Sequence, residues 1–321
     1  MKYILIGDPV GRDLVNTNNK HDVQLSGLYQ WANVFQKYGL KGDINPYWKR
    51  EDLEGYDIVH INYTPSNIQL PTIIKSELKD SSTKIVLNVD LDVSKWSSNW
   101  AYHLTNMTNE IKMADVVFHV EPVGCKAVSQ LTDQQVNCCP HPVDVSGLYD
   151  HIMKLEDRQD MIGTIFHRYT GDTLTQFLTQ KDIPLNKVIF GLHPNNTKLI
   201  SSHGMYDQII YHLKFMDFVK EISKSRMGCD LYDGYSFGRA PIEFAALGIP
   251  AVVSNRIGSS WLFPETAVDP FDVVGARKLF YRLLTDQEFV DNVISTAHQK
   301  CSYYSLRNSF NRFKTMMEID K

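Results

Sequence analysis

No apolar run in the 321 residues approaches the roughly 18 that a membrane-crossing helix needs, so no integral membrane segment is expected. The opening MKYILIGDPVGRD carries one early lysine and a short apolar stretch without the small-residue cleavage site of a signal peptide. It reads as a first buried strand ending at Gly7. Cysteine is scarce: Cys125, Cys138, Cys139, Cys229 and Cys301 form no CxxC pair, and the adjacent two lack metal-site spacing. Reduced thiols in a cytoplasmic protein, with no metal site, are the expectation. The formal net charge of −4 lacks the basic excess of a protein that holds nucleic-acid backbone. GxxxxGK[ST] is absent, which excludes a P-loop; no GxGxxG follows a strand and no GxSxG occurs, so dinucleotide oxidoreductase and serine hydrolase have no support.

What is present is an ordinary globular composition, 43% hydrophobic and 22% charged, in a chain long enough for two cores. Short apolar runs alternate with amphipathic stretches. Lys2–Ile6, Asp57–Ile61, Lys84–Val89 and Ala114–His119 read as strands, and 26–38 places Leu28, Trp31, Val34 and Phe35 at helical spacing before Gly39. A proline-containing, polar break spans 138–160. The strand pattern restarts at Met161–Phe166 and continues through Lys187–Gly191, Gln208–Leu213, Cys229–Tyr232 and Ile249–Ser254. Two tandem α/β units with parallel sheets follow from this alternation. The tail from about Asp286 is helical in pattern, with Phe310, Phe313 and Met317 on one face.

The stretch with most chemical content is 233–255, DGYSFGRAPIEFAALGIPAVVSN. Gly234 and Gly238 permit backbone conformations closed to other residues. Pro241 suits a helix's first turn and Gly248 its C-terminal cap, which places a helix at 240–247. Its free N–H groups and positive dipole end face the glycine loop and suit an anion. Arg239 at that mouth adds a charge-assisted contact to phosphate. Glu243, expected in the first turn, can accept hydrogen bonds from the vicinal hydroxyls of a ribose. A capping glutamate and a surface arginine fit the same spacing.

That stretch resembles the nucleotide-binding signature of GT-B glycosyltransferases, most closely the retaining, family-4-type group that reads E-G-F-G-x-x-x-x-E-A-x-A-x-G-x-P-V-V. Phe237, Gly238, Glu243, Gly248, Pro250 and Val252–Val253 fall in register. PVD at 142–144 is similar to the family's interdomain junction, 269–289 to its DPxD segment and SYYSLRNSFNRF to its closing helix. The resemblance implies an α/β chain of two Rossmann-like domains facing a central cleft: an acceptor domain at 1–147, a donor domain at 148–300, and a helix at 301–321 packing back. It implies a nucleotide-diphosphate sugar as donor substrate, no required cofactor and no essential divalent metal. Glu243 would hold the donor ribose, Gly238 with the N–H groups that follow it would sit near the diphosphate, and Arg239, Tyr235 and Phe237 are further donor-binding candidates. Arg168, after MIGTIF, falls where the family places a phosphate-binding arginine, but its companion lysine is missing from the following YTGDT. The family's first paired glutamate falls at Tyr235, which leaves Asp233 as the nearest carboxylate. The glycine loop after the first strand would use Gly7 and the Ser26–Gly27 pair.

In the N-terminal half, KIVLNVDLDVSKW ends a strand on Asp90 and Asp92. An aspartate at a strand's C-terminal end in an open α/β sheet sits where ligands bind. Asp90 can take a proton from an acceptor hydroxyl or contact the donor sugar, and it also fits a turn aspartate. His60, His119, His141, His167 and His193 end or follow strand-like runs, and His119 is a catalytic candidate with Asp90 and Asp233. Trp96, Trp100 and Tyr102 offer stacking surface or helix packing. The expected activity is sugar transfer to a hydroxyl of a glycan or lipid. Transfer to a hydroxymethylated DNA base is an alternative, for which Arg12, Lys20, Lys49 and Arg50 would matter. Nucleotide or sugar binding without transfer is another.

Overall fold

The computed structural model describes residues 1–6, 27–44, 53, 55–63, 68–78, 82–90, 92, 101–166, 170–192, 205–211 and 213–318. The chain divides into two units. One comprises Met1–Val143, Gly234–Phe237 and Tyr304–Lys321; the other comprises Asp144–Asp233 and Gly238–Tyr303.

The first unit is a six-stranded parallel sheet: β1 (Lys2–Ile6), β2 (Lys41–Ile44), β3 (Ile58–Tyr63), β4 (Lys84–Val89), β5 (Val116–His119) and β6 (Val136–Cys138), in the order β2-β1-β3-β4-β5-β6. Its inner strands β1, β3, β4 and β5 are largely buried, as a sheet covered on both sides requires. Along β1, Ile4 and Ile6 enter one core while Tyr3 and Leu5 enter the other. The first core includes Ile74 of α2 (Leu70–Glu77), Met107 of α3 (Ala101–Ile111) and Val128 of α4 (Pro122–Thr132). The second includes Trp31 and Phe35 of α1 (Gly27–Lys37) and Phe313 of the C-terminal helix, Leu306–Met317.

His60 lies inside that second core. Its ring stacks on Phe313 at 6.3 Å between centroids, with Trp31 at 5.9 Å. Neither ring nitrogen has a hydrogen-bond partner among the described residues. Burial, reinforced by the nearby His141, pushes its pKa down to about 3. The unfolded chain therefore takes up a proton below pH 6.5 that the folded chain refuses. Stability is full above that value and falls as the pH drops from 6.5 toward 3, by about 1.4 kcal/mol per pH unit. His60→Leu is expected to flatten this acid slope between pH 7 and 5 and to raise stability at pH 7, since apolar atoms replace two unmatched ones. Urea unfolding at the two pH values checks both; an unchanged slope would show that His60 does not set it.

The second unit is also a six-stranded parallel sheet: β7 (Gln159–Ile165), β8 (Asn186–Leu192), β9 (Gln208–Tyr211), β10 (Ser225–Asp230), β11 (Ala251–Ser254) and β12 (Ala267–Val268). The order β12-β11-β10-β7-β8-β9 is the doubly wound dinucleotide-binding order, whose topological switch lies between β7 and β10. The helices of this unit are α5 (Val145–Tyr149), α6 (Thr170–Gln180), α7 (Phe215–Ile222), α8 (Arg239–Ala246), α9 (Val273–Thr285) and α10 (Gln287–Cys301), of which α6, α7 and α8 connect strands of the sheet; the C-terminal helix is α11. Strand β10 starts four residues before the Cys229 expected from the sequence and ends two before Tyr232. Its SRMG start reads as polar, yet it pairs with β7, and from Gly228 onward the strand pairs with β11 as well. A Cβ on Gly228 would come within 2.8 Å of the Phe244 ring, so glycine here lets α8 lie close on the strand.

No helix among the described residues is long and apolar enough to cross a membrane. All five cysteines are free thiols.

Candidate functional site

In the second unit the site grows from the end of β10, beside the switch point. After Asp230 the chain turns to Gly238, which caps α8 with φ +69°. A Cβ there would lie 1.6 Å from a methyl of Ile257, and Ser259 Oγ donates to the Gly238 carbonyl. Backbone angle and space thus both demand glycine. No side chain caps the first turn of α8 among the described residues, so its amides point outward from the amino-terminal end.

Helix α8 begins at Arg239, one residue earlier than expected, so Glu243 lies just beyond the first turn. The offset has a consequence. Arg239 and Glu243 are four residues apart, and Arg239 Nε donates to Glu243 Oε1 at 2.6 Å. The guanidinium also lies over the Phe215 ring, 4.9 Å from its centroid. Glu243 is 4% exposed. Burial pushes its pKa up, Arg239 pulls it down, and the buried Asp230 adds a smaller upward push. At the opposite end of α8, Gly248 has φ +66°. There buried Arg158 donates to the Leu247 carbonyl at 2.8 Å, to Met153 O at 2.9 Å and to Ser225 O at 3.3 Å. Burial lowers the Arg158 pKa to about 10, which leaves it cationic at neutral pH.

Asp233 is half-buried, and its backbone carbonyl accepts from Arg256 Nη1 at 2.9 Å. Arg256 is in turn bound to Asp269 at 3.0 Å. The sequence reading missed Arg256, which lies outside the glycine signature. It also treated 233–255 as one piece, whereas 234–237 belongs to the first unit. There the Tyr235 amide donates to Asp92 Oδ1 at 3.0 Å, and Phe237 packs edge-on against His141 at 5.5 Å and against Tyr304 at 5.8 Å.

The first unit gathers a second polar cluster at the C-terminal ends of β4 and β5. Asn88 Nδ2 lies 3.3 Å from His141 Nδ1, and His141 Nε2 lies 3.1 Å from Asp90 Oδ2. Asn88 and His141 are buried, while the Asp90 side chain is 43% exposed. His119, paired in register with Val89, is fully buried and accepts the Glu121 amide on Nδ1 at 3.2 Å. Glu121 caps α4, its carboxylate accepting from the Val123 and Gly124 amides. Burial pushes its pKa up to about 7, against those amides and with a further push from Asp92. Asp90 follows β4 and bonds with His141, while His119 ends the neighbouring β5 and bonds with Glu121. No local pattern marks Glu121, a capping residue with no periodic neighbours, or the Asn88–His141 contact.

Gly27 opens α1. Gly7 and Arg168, with Arg12, Lys20, Lys49, Arg50, Trp96, Trp100, His167 and His193, lie outside the described residues. No group of three or more metal-ligating side chains occurs among the described residues.

No protein-family model matches the sequence, and no curated protein does. Solved structures do. The Anabaena protein HepE in complex with UDP superposes with a TM-score of 0.73 at 11% identity, over 99% of this chain and 100% of that one. Sucrose-phosphate synthase from Thermosynechococcus elongatus gives 0.71 at 13% identity, over 99% and 98%. An α-glucosyltransferase in complex with UDP and a DNA 13-mer containing an HMU base gives 0.67 at 14% identity, over 99% and 98%. The chain has the GT-B fold. Within that GT-B framework, Gly238, Arg239 and Glu243 stand together on one helix terminus in the second unit. Asp90 stands with His141 in the first.

Proposed function

We propose that this chain transfers a sugar from a nucleotide-diphosphate sugar to an acceptor hydroxyl, with retention at the anomeric carbon. The observation that carries the reading is the Gly238-capped terminus of α8, with Arg239 and the buried Glu243 side by side on it. It ends the βα unit next to the sheet's switch point, where open α/β sheets take their ligands. The whole-chain likeness to structures holding UDP supports it. In this reading the diphosphate meets the α8 amides and the Arg239 guanidinium, and Glu243 accepts from the ribose hydroxyls. As the acceptor oxygen bonds to the anomeric carbon, the bond from that carbon to the diphosphate breaks. The departing diphosphate takes the hydroxyl proton, and its charge is met by dipoles already in place. Asp90 accepts a hydrogen bond from a reacting hydroxyl, with Asp233 and His119 as the remaining catalytic candidates.

The likeness to a DNA-bound α-glucosyltransferase favours a second acceptor class, a hydroxymethylated base. The test is thermal unfolding with UDP, GDP, ADP, CDP and TDP and their common sugars, followed by an acceptor screen of glycans, lipids and duplexes containing such a base. At 100 times its Kd a ligand stabilises by about 2.7 kcal/mol, so one nucleotide family is expected to raise the unfolding temperature by several degrees. No shift with any of the five, in a folded sample, would remove the donor site from this reading.

A further inference from the structure

Asn88, His141 and Asp90 form a hydrogen-bonded row that runs from the buried end of β4 to a half-exposed carboxylate. The chemistry of the three groups fixes where the protons are. An ionised carboxylate only accepts, so the ring nitrogen 3.1 Å from Asp90 Oδ2 must carry a hydrogen. With one proton on the ring, that hydrogen is on Nε2 and Nδ1 is an acceptor. The group 3.3 Å from Nδ1 must then be a donor, which is the amide Nδ2 of Asn88. The alternative amide orientation would set the carbonyl Oδ1 against the Nδ1 lone pair. Asn88 Oδ1 is buried without a hydrogen-bond partner among the described residues. The amide thus faces the way His141 and Asp90 require, and its own carbonyl goes unmatched. The edge of Phe237, at 89° to the imidazole plane, closes one side of the ring.

We propose that Asn88 and His141 are positioning residues that hold Asp90 as a hydroxyl-binding carboxylate, its ligand a sugar or similar polyol. The inference rests on the transferase reading given above. A ring with a single proton donates to Asp90 without neutralising it, so the carboxylate keeps its charge for the incoming hydroxyl. Neither Asn88 nor His141 touches the substrate in this scheme.

The test uses the full chain with ¹⁵N-labelled histidine, the His141 signals being assigned from their loss in His141→Gln. Two-bond ¹H–¹⁵N spectra are expected to show the proton on Nε2 and a bare Nδ1. Asn88→Asp, which replaces the amide donor by an acceptor, is expected to put a proton on Nδ1. Kinetics supply the second arm, as glucose released from UDP-glucose with water as acceptor. His141→Ala is expected to lower kcat about 100-fold with little change in KM, because a misdirected group about 1 Å away costs that much. His141→Gln, whose amide N–H can replace Nε2–H, is expected to recover at least about tenfold of that loss. A proton on Nδ1 in the unaltered chain overturns the inference, and so does equal kcat in His141→Ala and the unaltered chain. Failure of the donor reading shows separately, as absence of any nucleotide shift, and leaves the ring spectrum to decide the proton arrangement.

Discussion

In Glu243→Ala the stabilisation given by UDP is expected to vanish, with Kd raised by about 100-fold or more. A hydrogen bond to a charged group contributes about 1.5–3 kcal/mol, and two ribose hydroxyls on one carboxylate make two of them. The substitution also takes from Arg239, whose side chain is only 17% exposed, its ion pair with Glu243. Removing one partner of a buried pair costs up to about 3–5 kcal/mol. Here the cost should be smaller, because burial already opposes ionisation of Glu243 and Arg239 keeps its place over Phe215. Glu243→Gln separates the two effects: it keeps the volume and an acceptor oxygen but not the charge. Calorimetric titration with UDP, beside circular dichroism of each variant, reads both. Unaltered UDP affinity in a folded Glu243→Ala would take the ribose away from this residue.

The second large effect belongs to Gly238→Ala. The left-handed backbone there costs any other residue about 1–2 kcal/mol, and a methyl forced against a packed neighbour costs about 1–3 kcal/mol more. The neighbour is the Cγ2 methyl of Ile257, borne on a branched Cβ and itself buried, so the clash cannot be relieved by turning a flexible side chain outward. The sum, about 2–5 kcal/mol, is a large share of an ordinary domain's stability. Ile257→Ala in the same chain should restore the steric part and leave the backbone part. The two substitutions are therefore expected to be non-additive. Denaturant unfolding of the two single variants and the double variant checks this; strict additivity would mean that the methyl does not meet Ile257.

The elements that were legible beforehand are those with a strong period. Lys2–Ile6 and Lys84–Val89 form strands over the ranges expected, because each is a continuous apolar run bounded by polar or glycine positions. The edge strands Lys41–Ile44, Val136–Cys138 and Ala267–Val268 were not seen. They span two to four residues, too few for alternation to register. Gly238, Arg239 and Glu243 stood out because one glycine-to-helix junction brings all three within a turn or so. Asp90 and His141 are 51 residues apart, and only the parallel order of the sheet brings the two loops together. The same limit hid Arg256, which reaches Asp233 across 23 residues, and Arg158, which reaches Leu247 across 89.

Arg158 changes how α8 should be viewed. A helix is a pair of opposite partial charges about 12 Å apart for eight residues, and at a distance the two cancel in part. Here the negative pole rests on a permanent cation, and the contact is internal to the protein and shielded from salt. What remains is closer to a single positive pole, displayed at Gly238. The strength with which this site draws an anion is therefore partly decided at its far end, by a residue that no ligand touches.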